Sequence, residues 1–320
     1  MKRYHILLCA CGVAARVIAQ QPDIGPAPGK LVDIGGRKLH LLCVGAGAPT
    51  VVLEAGASAF AIDWTLVQQR VARTTRVCAY DRAGSGWSDP PASGPPTPER
   101  DLHDLLRIAG EKGPFVMVGA SRGGLLVRSY QSDYPSEVIG LVLVDPSSED
   151  RLFTYFNGEA VTIASLTAEQ WRTTFPQQPV AVPKRRPQRG APFSKLPPET
   201  FALRVKLDER LIASVPDTVS PQFIATFQEA DRALLAKLLR LKTGREHPLG
   251  DLPIIVLTRG VDSPVDLRST HAALAQLSTN SRHVVVAGSD HEIHLSEPAV
   301  VSQAITDVLA AAVQKARLPL

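Results

Sequence analysis

The sequence has few aromatic residues, few cysteines and no apolar run as long as the roughly 18 residues of a membrane-spanning helix. Of its 320 residues 5% are aromatic, so most of the core must be built from aliphatic side chains. Only two cysteines, Cys43 and Cys78, lie beyond the first 11 residues, and no Cys/His spacing suggests a zinc site. We therefore expect neither stable membrane insertion nor a metal.

An excess of charge of either sign is also lacking. The formal net charge is +4, but residues 1–19 contain three basic residues and no acid. The remaining chain has 32 basic and 31 acidic residues, a balance that provides little attraction to phosphate backbones. Nucleic acid is therefore not an expected partner. Hydrophobic residues make up 44%, which is typical of a globular protein and not of a disordered one.

The amino terminus has the pattern of an export signal. A basic start, an apolar stretch and small residues before Gln20 predict a signal peptide over residues 1–19. Arg16 departs from the pattern, and Leu8-Cys9-Ala10-Cys11 resembles a lipoprotein box. We expect a periplasmic or secreted protein, with a cytoplasmic protein carrying an amino-terminal extension as the alternative.

Beyond this leader, short apolar runs alternate with amphipathic stretches, which is typical of an α/β protein. The apolar runs predict strands, several of them buried on both faces: Leu31–Ile34, Leu39–Val44, Thr50–Glu54, Thr75–Tyr80, Phe115–Gly119, Val138–Val144, Ile254–Thr258 and Arg282–Ala287. The amphipathic stretches predict helices at Ile62–Ala72, Pro98–Ala109, Arg122–Asp133, Asp266–Gln276 and Pro298–Ala312.

Residues 146–252 interrupt the alternation, because no strand signal occurs there. Their first half is rich in proline, and their second half predicts helices at Glu199–Ser214 and Pro221–Leu241. Segments of this length inside a compact domain form a lid or a subdomain. We therefore predict a core made of residues 20–145 and 253–320, with residues 146–252 as a lid.

The strongest chemical signal is Gly119-Ala120-Ser121-Arg122-Gly123, which lies between a predicted strand and a predicted helix. This context is typical of a nucleophile elbow, in which a tight turn lifts a serine hydroxyl clear of the sheet. Side chains at either glycine would collide with the turn. Ser121 is the predicted nucleophile; a purely structural glycine turn is the alternative.

A serine nucleophile needs a general base and an oxyanion hole. His291 follows the last predicted strand in a turn and is the predicted base, with His294 as the local rival. The oxyanion donors are predicted to be the backbone N–H groups of Arg122, next to the nucleophile, and of Ala57, in the loop after the third strand.

Four motifs together resemble the α/β-hydrolase superfamily, and specifically its lid-bearing serine carboxylesterase-like branch: Leu53–Ala57, Tyr80–Ser88, Gly119–Gly124 and Gly288–His291. The resemblance implies a mostly parallel α/β-hydrolase sheet flanked by helices, with a helical lid inserted between the sixth and seventh core strands. In the family the second motif is mainly a structural turn. Many relatives have His-Gly where this chain has Ala55-Gly56, and an apolar residue where it has Arg122.

The same resemblance implies a triad acid after either of two strands. Asp262 follows Ile254–Thr258 and Asp145 follows Val138–Val144, and both fit the chain order of nucleophile, acid and base. Asp262 is the predicted acid because it lies one helix and one strand before His291. Asp145 is the alternative, since an aspartate before a proline can simply stabilise a turn.

The expected activity is hydrolysis of a small-molecule carboxylic ester through an acyl-enzyme, without metal or organic cofactor. An iminopeptidase, a perhydrolase or a carbon–carbon bond hydrolase would use the same residues, and a non-catalytic ligand-binding protein is a further alternative. For an iminopeptidase, acids such as Glu199, Asp208 and Glu209 could hold a free amino terminus. The oligomeric state is left open.

In the family's strand order, the strands that contain Cys43 and Cys78 are neighbours. A disulfide is therefore possible if the protein is exported. Two buried free thiols are the preferred prediction.

Overall fold

The computed structural model describes residues 23–91, 97–150, 153–156, 159–174, 178–183, 185–263 and 265–319. The predicted signal peptide, residues 1–19, lies outside this part of the chain. Among the described helices, none combines the length and the apolar character needed to cross a bilayer.

The core is an eight-stranded sheet in the order β1-β2-β4-β3-β5-β6-β7-β8. Only the pairs β1–β2 and β2–β4 are antiparallel. All eight predicted strands are present, with ends that differ from the prediction by at most two residues. The strands are β1 (Lys30–Asp33), β2 (Lys38–Val44), β3 (Val51–Glu54), β4 (Val77–Tyr80), β5 (Phe115–Ala120), β6 (Val138–Val144), β7 (Ile254–Arg259) and β8 (Ser281–Val286).

Helices cover both faces of the sheet, as continuous apolar strands require. One face packs against α1 (Thr65–Val71) and α9 (Pro298–Gln314), the latter preceded by the short α8 (Ile293–Ser296). The other face packs against α2 (Pro98–Ala109), α3 (Arg122–Asp133) and α7 (Val265–Ala275). The mostly parallel sheet flanked by helices confirms the predicted fold class.

Between β6 and β7 the chain leaves the sheet. It forms α4 (Ala168–Thr173), α5 (Pro198–Ser214) and α6 (Pro221–Lys242), so the two long predicted helices are present. It also forms two short antiparallel pairs that the sequence did not indicate, Phe153–Phe156 with Glu159–Thr162 and Val180–Ala181 with Thr218–Val219.

The apolar stripes of the two long helices pack onto the core. In α6, Leu235 and Leu238 contact Leu125 of α3. In α5, Leu207 and Leu211 join the cluster around Phe60 and Ile62, which follow β3. These side chains therefore contribute to the packing of the segment onto the core.

Cys43 and Cys78 are directly opposite each other on the antiparallel strands β2 and β4, and they form a disulfide. This finding contradicts the preferred prediction of two free thiols. The family's strand order indicated that the two strands are neighbours, but the residue-by-residue register became visible only in the structure.

Candidate active site

Ser121 lies on a strained turn between β5 and α3. Its φ of +51° and ψ of −119° lie in a region that non-glycine residues rarely adopt, at a cost of about 1–3 kcal/mol. Its backbone N–H donates to the carbonyl of Val144 at 3.0 Å, and its own carbonyl accepts from Ser147 N–H at 2.9 Å. The turn is therefore bound to the end of β6 on both sides of Asp145.

The two glycines of the motif are required sterically. A Cβ at Gly119 would lie 2.4 Å from the carbonyl oxygen of Gly123, and a Cβ at Gly123 would lie 2.5 Å from the carbonyl oxygen of Glu54. Both contacts are with backbone atoms, which cannot move aside without deforming the turn or β3. The geometry is that of the predicted nucleophile elbow.

His291 lies in the loop after β8, and Asp145 is its hydrogen-bond partner. The His291 Nδ1 is 2.5 Å from Oδ2 of Asp145. Burial alone would raise the pKa of Asp145, but the bonds from His291 and from Arg259 N–H lower it below its ordinary value. The carboxylate is therefore ionised and can only accept, so Nδ1 carries a proton, and in the neutral form of His291 the lone pair of Nε2 is available to accept one.

The contact with His291 is thus made by Asp145, the alternative acid, whereas the sequence favours Asp262. Asp262 is exposed in the turn after β7. The backbone just before it is bound to the β8 side: Gly260 N–H donates to Val286 and Ser289 carbonyls, and Val261 N–H also donates to Ser289. Asp145 instead directly follows β6, and its carboxylate, 3% exposed for the residue as a whole, reaches across β7 to His291.

Further groups fix the Asp145 carboxylate. Its Oδ1 accepts the backbone N–H of Arg259 at 3.0 Å, and Arg259 Nη1 lies 3.3 Å from Oδ2. The buried His271 donates from Nε2 to the carbonyl of Pro146 at 2.8 Å. Its Nδ1 therefore accepts from the hydroxyl of Thr258, 2.8 Å away. No sequence pattern indicated His271, because its contacts depend on the packing of α7 against the sheet.

His294, the rival base, is unsuited to the role. It is buried against Trp64, with ring centroids 4.6 Å apart. Burial, together with the charges of His291 and Arg204, lowers the pKa of His294 to about 3. His291 behaves in the opposite way: burial opposes its charge, but the hydrogen bond to Asp145 and the neighbouring Glu292 raise its pKa above the ordinary value.

The predicted oxyanion loop lies next to the elbow. A Cβ at Gly56 would be 3.4 Å from Cβ of Ser121, so the Gly56–Ala57 peptide borders the serine. Arg122 is the first residue of α3, where helix N–H groups have no intrahelical acceptor. The structure thus brings together Ser121, Ala57 and Arg122, and it links Asp145 and His291 to the same turn.

The side chain of Arg122 forms an ion pair with Asp231 of α6, with Nη2 and Oδ1 2.6 Å apart. The pair connects the first turn after Ser121 with the segment between β6 and β7.

A buried ion pair between Arg82 and Glu54, next to the oxyanion loop, was not indicated by the sequence. Arg82 contacts Glu54, and the hydroxyl of Tyr80 donates to the other oxygen of the same carboxylate. Burial raises the pKa of Glu54 despite the opposing charge of Arg82. The Tyr80–Ser88 motif, for which the resemblance implies a mainly structural turn, thus also contributes Tyr80 and Arg82 to this buried network.

One group of metal-ligand atoms occurs among the described residues. Cys43, Cys78 and Glu111 place such atoms within 4.8 Å of one another. Because the two sulfurs are joined in a disulfide, they are not available as thiolate ligands. This cluster therefore does not fit a metal.

Comparison with known proteins places this chain in a family. A family model described as "alpha/beta hydrolase fold" matches residues 49–298. A protein of Hormonema carpetanum named as a probable transporter, efuK, is 34% identical over 135 residues, which cover 39% of this chain and 19% of that protein. YqjL of Bacillus subtilis (strain 168) is 23% identical over 279 residues, 85% of this chain and 88% of that protein.

Solved structures share the fold at low sequence identity. A candidate lipase from Acinetobacter baumannii AYE has a TM-score of 0.60 and 20% identity, and covers 92% of this chain and 95% of its own. A thermophilic esterase from Thermogutta terrifontis has a TM-score of 0.56 and 19% identity, and covers 86% of this chain and 94% of its own. At this identity the likeness concerns the fold.

Proposed function

The chain belongs to the α/β-hydrolase fold family, and on that premise we propose that it is a serine hydrolase that cleaves carboxylic esters through an acyl-enzyme. The observation that carries the proposal is the connection of the strained Ser121 turn to Asp145 and, through it, to His291. The lipase and esterase among the fold neighbours support the choice of ester substrates.

In this mechanism the Ser121 hydroxyl attacks the ester carbonyl carbon while Nε2 of His291 takes its proton. Asp145 holds Nδ1 and stabilises the imidazolium. The oxyanion accepts hydrogen bonds from the N–H groups of Ala57 and Arg122. His291 then protonates the departing alcohol, which leaves an ester on Ser121. Water, deprotonated by His291, attacks that ester and releases the acid together with free Ser121.

The iminopeptidase alternative receives less support from the charges. Asp208 is fully buried and accepts from Arg185 and from Gln188 N–H. Glu209 accepts from Arg189 at 2.5 Å. Two of the three acids that could hold a substrate amino group thus already have cationic or backbone partners.

We further propose that residues 146–252 act as a lid. They leave the sheet directly after Asp145 and return before Arg259, two residues in contact with each other, and Asp231 of α6 binds Arg122. The arrangement keeps this segment beside the serine, where it could shape the substrate site.

Export of the protein remains part of the proposal. Disulfides persist in oxidising compartments, so the Cys43–Cys78 bond supports a periplasmic or secreted location. After expression in a secreting host, intact mass should correspond to a chain that starts at Gln20. A chain retaining Met1, or free thiols at positions 43 and 78 in the denatured, unreduced protein, would contradict export.

The test of the hydrolase assignment uses a fluorophosphonate probe and p-nitrophenyl esters of increasing acyl length. The wild-type protein should acquire one covalent adduct at Ser121 and should turn over at least part of the ester series. Ser121→Ala should lose both while its melting temperature is retained. Ser302→Ala, on α9, is the control, because its hydroxyl donates only locally to the Pro298 carbonyl.

Two outcomes would count against the proposal. Ester turnover that survives Ser121→Ala would exclude Ser121 as the nucleophile. A wild-type protein without adduct or turnover would favour a ligand-binding protein, and faster cleavage of prolyl anilides than of esters would favour the iminopeptidase.

A further inference from the structure

We propose that Arg82 is a positioning residue, which orients the oxyanion hole by donating hydrogen bonds to the carbonyl groups of the loop after β3. This inference rests on the proposed hydrolase function. Arg82 follows β4, and its guanidinium contacts three consecutive residues at the junction of β3 and that loop. Its Nη1 donates to the carboxylate of Glu54, the last residue of β3, and, at 2.7 Å, to the carbonyl of Ala55, the first residue of the loop. Its Nη2 donates to the carbonyl of Gly56 at 2.5 Å.

The hydrogen bond from Arg82 to the Gly56 carbonyl also determines the direction of the Ala57 N–H, because both groups belong to one peptide unit. In a planar trans peptide the C=O of one residue and the N–H of the next point in opposite directions. Because Arg82 holds the Gly56 carbonyl on its own buried side, the Ala57 N–H must point away from Arg82. The Gly56 Cα lies beside Ser121, where a Cβ would come within 3.4 Å of the serine Cβ. The Ala57 N–H is thus available as an oxyanion donor.

The guanidinium is itself held firmly. Arg82 is 8% exposed and Glu54 is 1% exposed, so the ion pair is shielded from water. Tyr80 donates to the second oxygen of Glu54. A buried arginine with a paired carboxylate loses little side-chain freedom when it also holds two carbonyl groups, and its planar fork suits several acceptors at once. Lysine offers a point charge and cannot reproduce these contacts.

The neighbouring residue holds the other end of the same loop. The Asp81 carboxylate accepts Ala61 N–H at 2.8 Å and is bound by Nδ1 of His40 at 2.7 Å. Gly86 approaches this carboxylate so closely that a Cβ there would lie 2.1 Å from an Asp81 oxygen. Arg82 and Asp81 of the turn after β4 therefore both hold the segment between β3 and α1, and of these two residues only Arg82 contacts the oxyanion peptide.

The test compares Arg82→Gln and Arg82→Lys with Arg76→Gln. Arg76 lies just before the same strand and makes a two-point contact with Glu111, with both N···O distances 2.7 Å, so it controls for the loss of an Arg–Glu pair. We expect Arg82→Gln to lower kcat about 10–100-fold, somewhat less than complete loss of one oxyanion donor, which costs about 10²–10³-fold. The KM of Arg82→Gln should change less than threefold. The kcat of Arg82→Lys should lie between that of Arg82→Gln and that of the wild type.

Two further measurements separate positioning from general damage. The acid limb of the kcat/KM profile should not move in Arg82→Gln, because the His291–Asp145 bond is untouched. A crystal structure of that variant should show the Gly56 carbonyl turned from its wild-type direction. The inference is wrong if Arg82→Gln and Arg76→Gln have the same kcat. It is also wrong if the decrease in kcat of Arg82→Gln equals the fraction of unfolded protein, or if the Gly56 carbonyl keeps its orientation in that variant. If wild-type protein hydrolyses no ester, the proposed function fails, and the crystal structure still decides whether Arg82 holds the loop.

Discussion

Oδ2 of Asp145 lies 2.5 Å from Nδ1 of His291, although 146 positions separate the two residues in the chain. The contact crosses β7, because Asp145 directly follows β6 and His291 follows β8. Asp145 adopts a positive φ of 41°, and its N–H donates to the Leu257 carbonyl of β7 at 2.8 Å. This hydrogen bond fixes the direction in which its side chain leaves the sheet.

This relationship predicts which aspartate matters for turnover. Asp145→Asn should lower kcat by about 10⁴-fold, because the amide cannot stabilise the imidazolium or enforce the required tautomer. Asp262→Asn, on an exposed turn, should retain kcat within about twofold. Steady-state ester hydrolysis by both variants is the measurement. The reverse pattern would restore Asp262 as the acid.

The charge state of His291 predicts the pH dependence. Burial opposes the imidazolium, but Asp145 and Glu292 raise the pKa of His291 above its ordinary value of 6.5. The base must be neutral, so kcat/KM should fall as the pH decreases through a value above 6.5. The acid limb of a kcat/KM profile on a neutral ester gives this value.

In Asp145→Asn the negative partner is lost, and the same limb should move to lower pH in the residual activity. A wild-type limb below pH 6.5, or a limb that stays in place in this variant, would contradict the assigned coupling.

The elbow predicts a position-specific steric effect. Gly119→Ala would place a methyl group 2.4 Å from the Gly123 carbonyl oxygen, so it should lower the free energy of unfolding by about 1–3 kcal/mol and reduce kcat. Gly190→Ala is the control, since nothing lies within 4 Å of a Cβ there. Chemical denaturation and ester turnover measure the two effects. Equal behaviour of both variants would show that the turn tolerates a side chain.

The Arg122–Asp231 ion pair predicts separate roles for backbone and side chain. Arg122→Met keeps the backbone N–H, so kcat on neutral esters should remain within about threefold. Because both side chains are partly exposed, we expect less than about 1 kcal/mol of lost stability. The control is Arg172→Met, which breaks the ion pair between Arg172 and Glu229. Glu229 lies on α6, as Asp231 does, and this pair is more exposed.

The informative comparison uses a neutral ester and an ester with a carboxylate on its acyl chain. A decrease in turnover by Arg122→Met that is confined to the acidic ester would show that Arg122 binds a substrate carboxylate in addition to pairing with Asp231 of α6.

The sequence by itself determined the fold class, the strand positions and the site of Ser121. These features depend on local patterns: continuous apolar runs, amphipathic stretches and glycines spaced around one serine. It also singled out His291, because the turn after the last strand is a local signal. The choice between Asp145 and Asp262 was not local, since both follow a strand and both precede His291.

Only the tertiary structure shows that Asp145 contacts His291, because that contact spans three neighbouring strands of the sheet. The same holds for the other features that the sequence missed. The disulfide required the register of β2 against β4, and the grip of Arg82 on the Gly56 carbonyl required two loops to pack together. Contacts between distant segments depend on the sum of packing and hydrogen bonding over the whole sheet, and no short stretch of sequence contains that information.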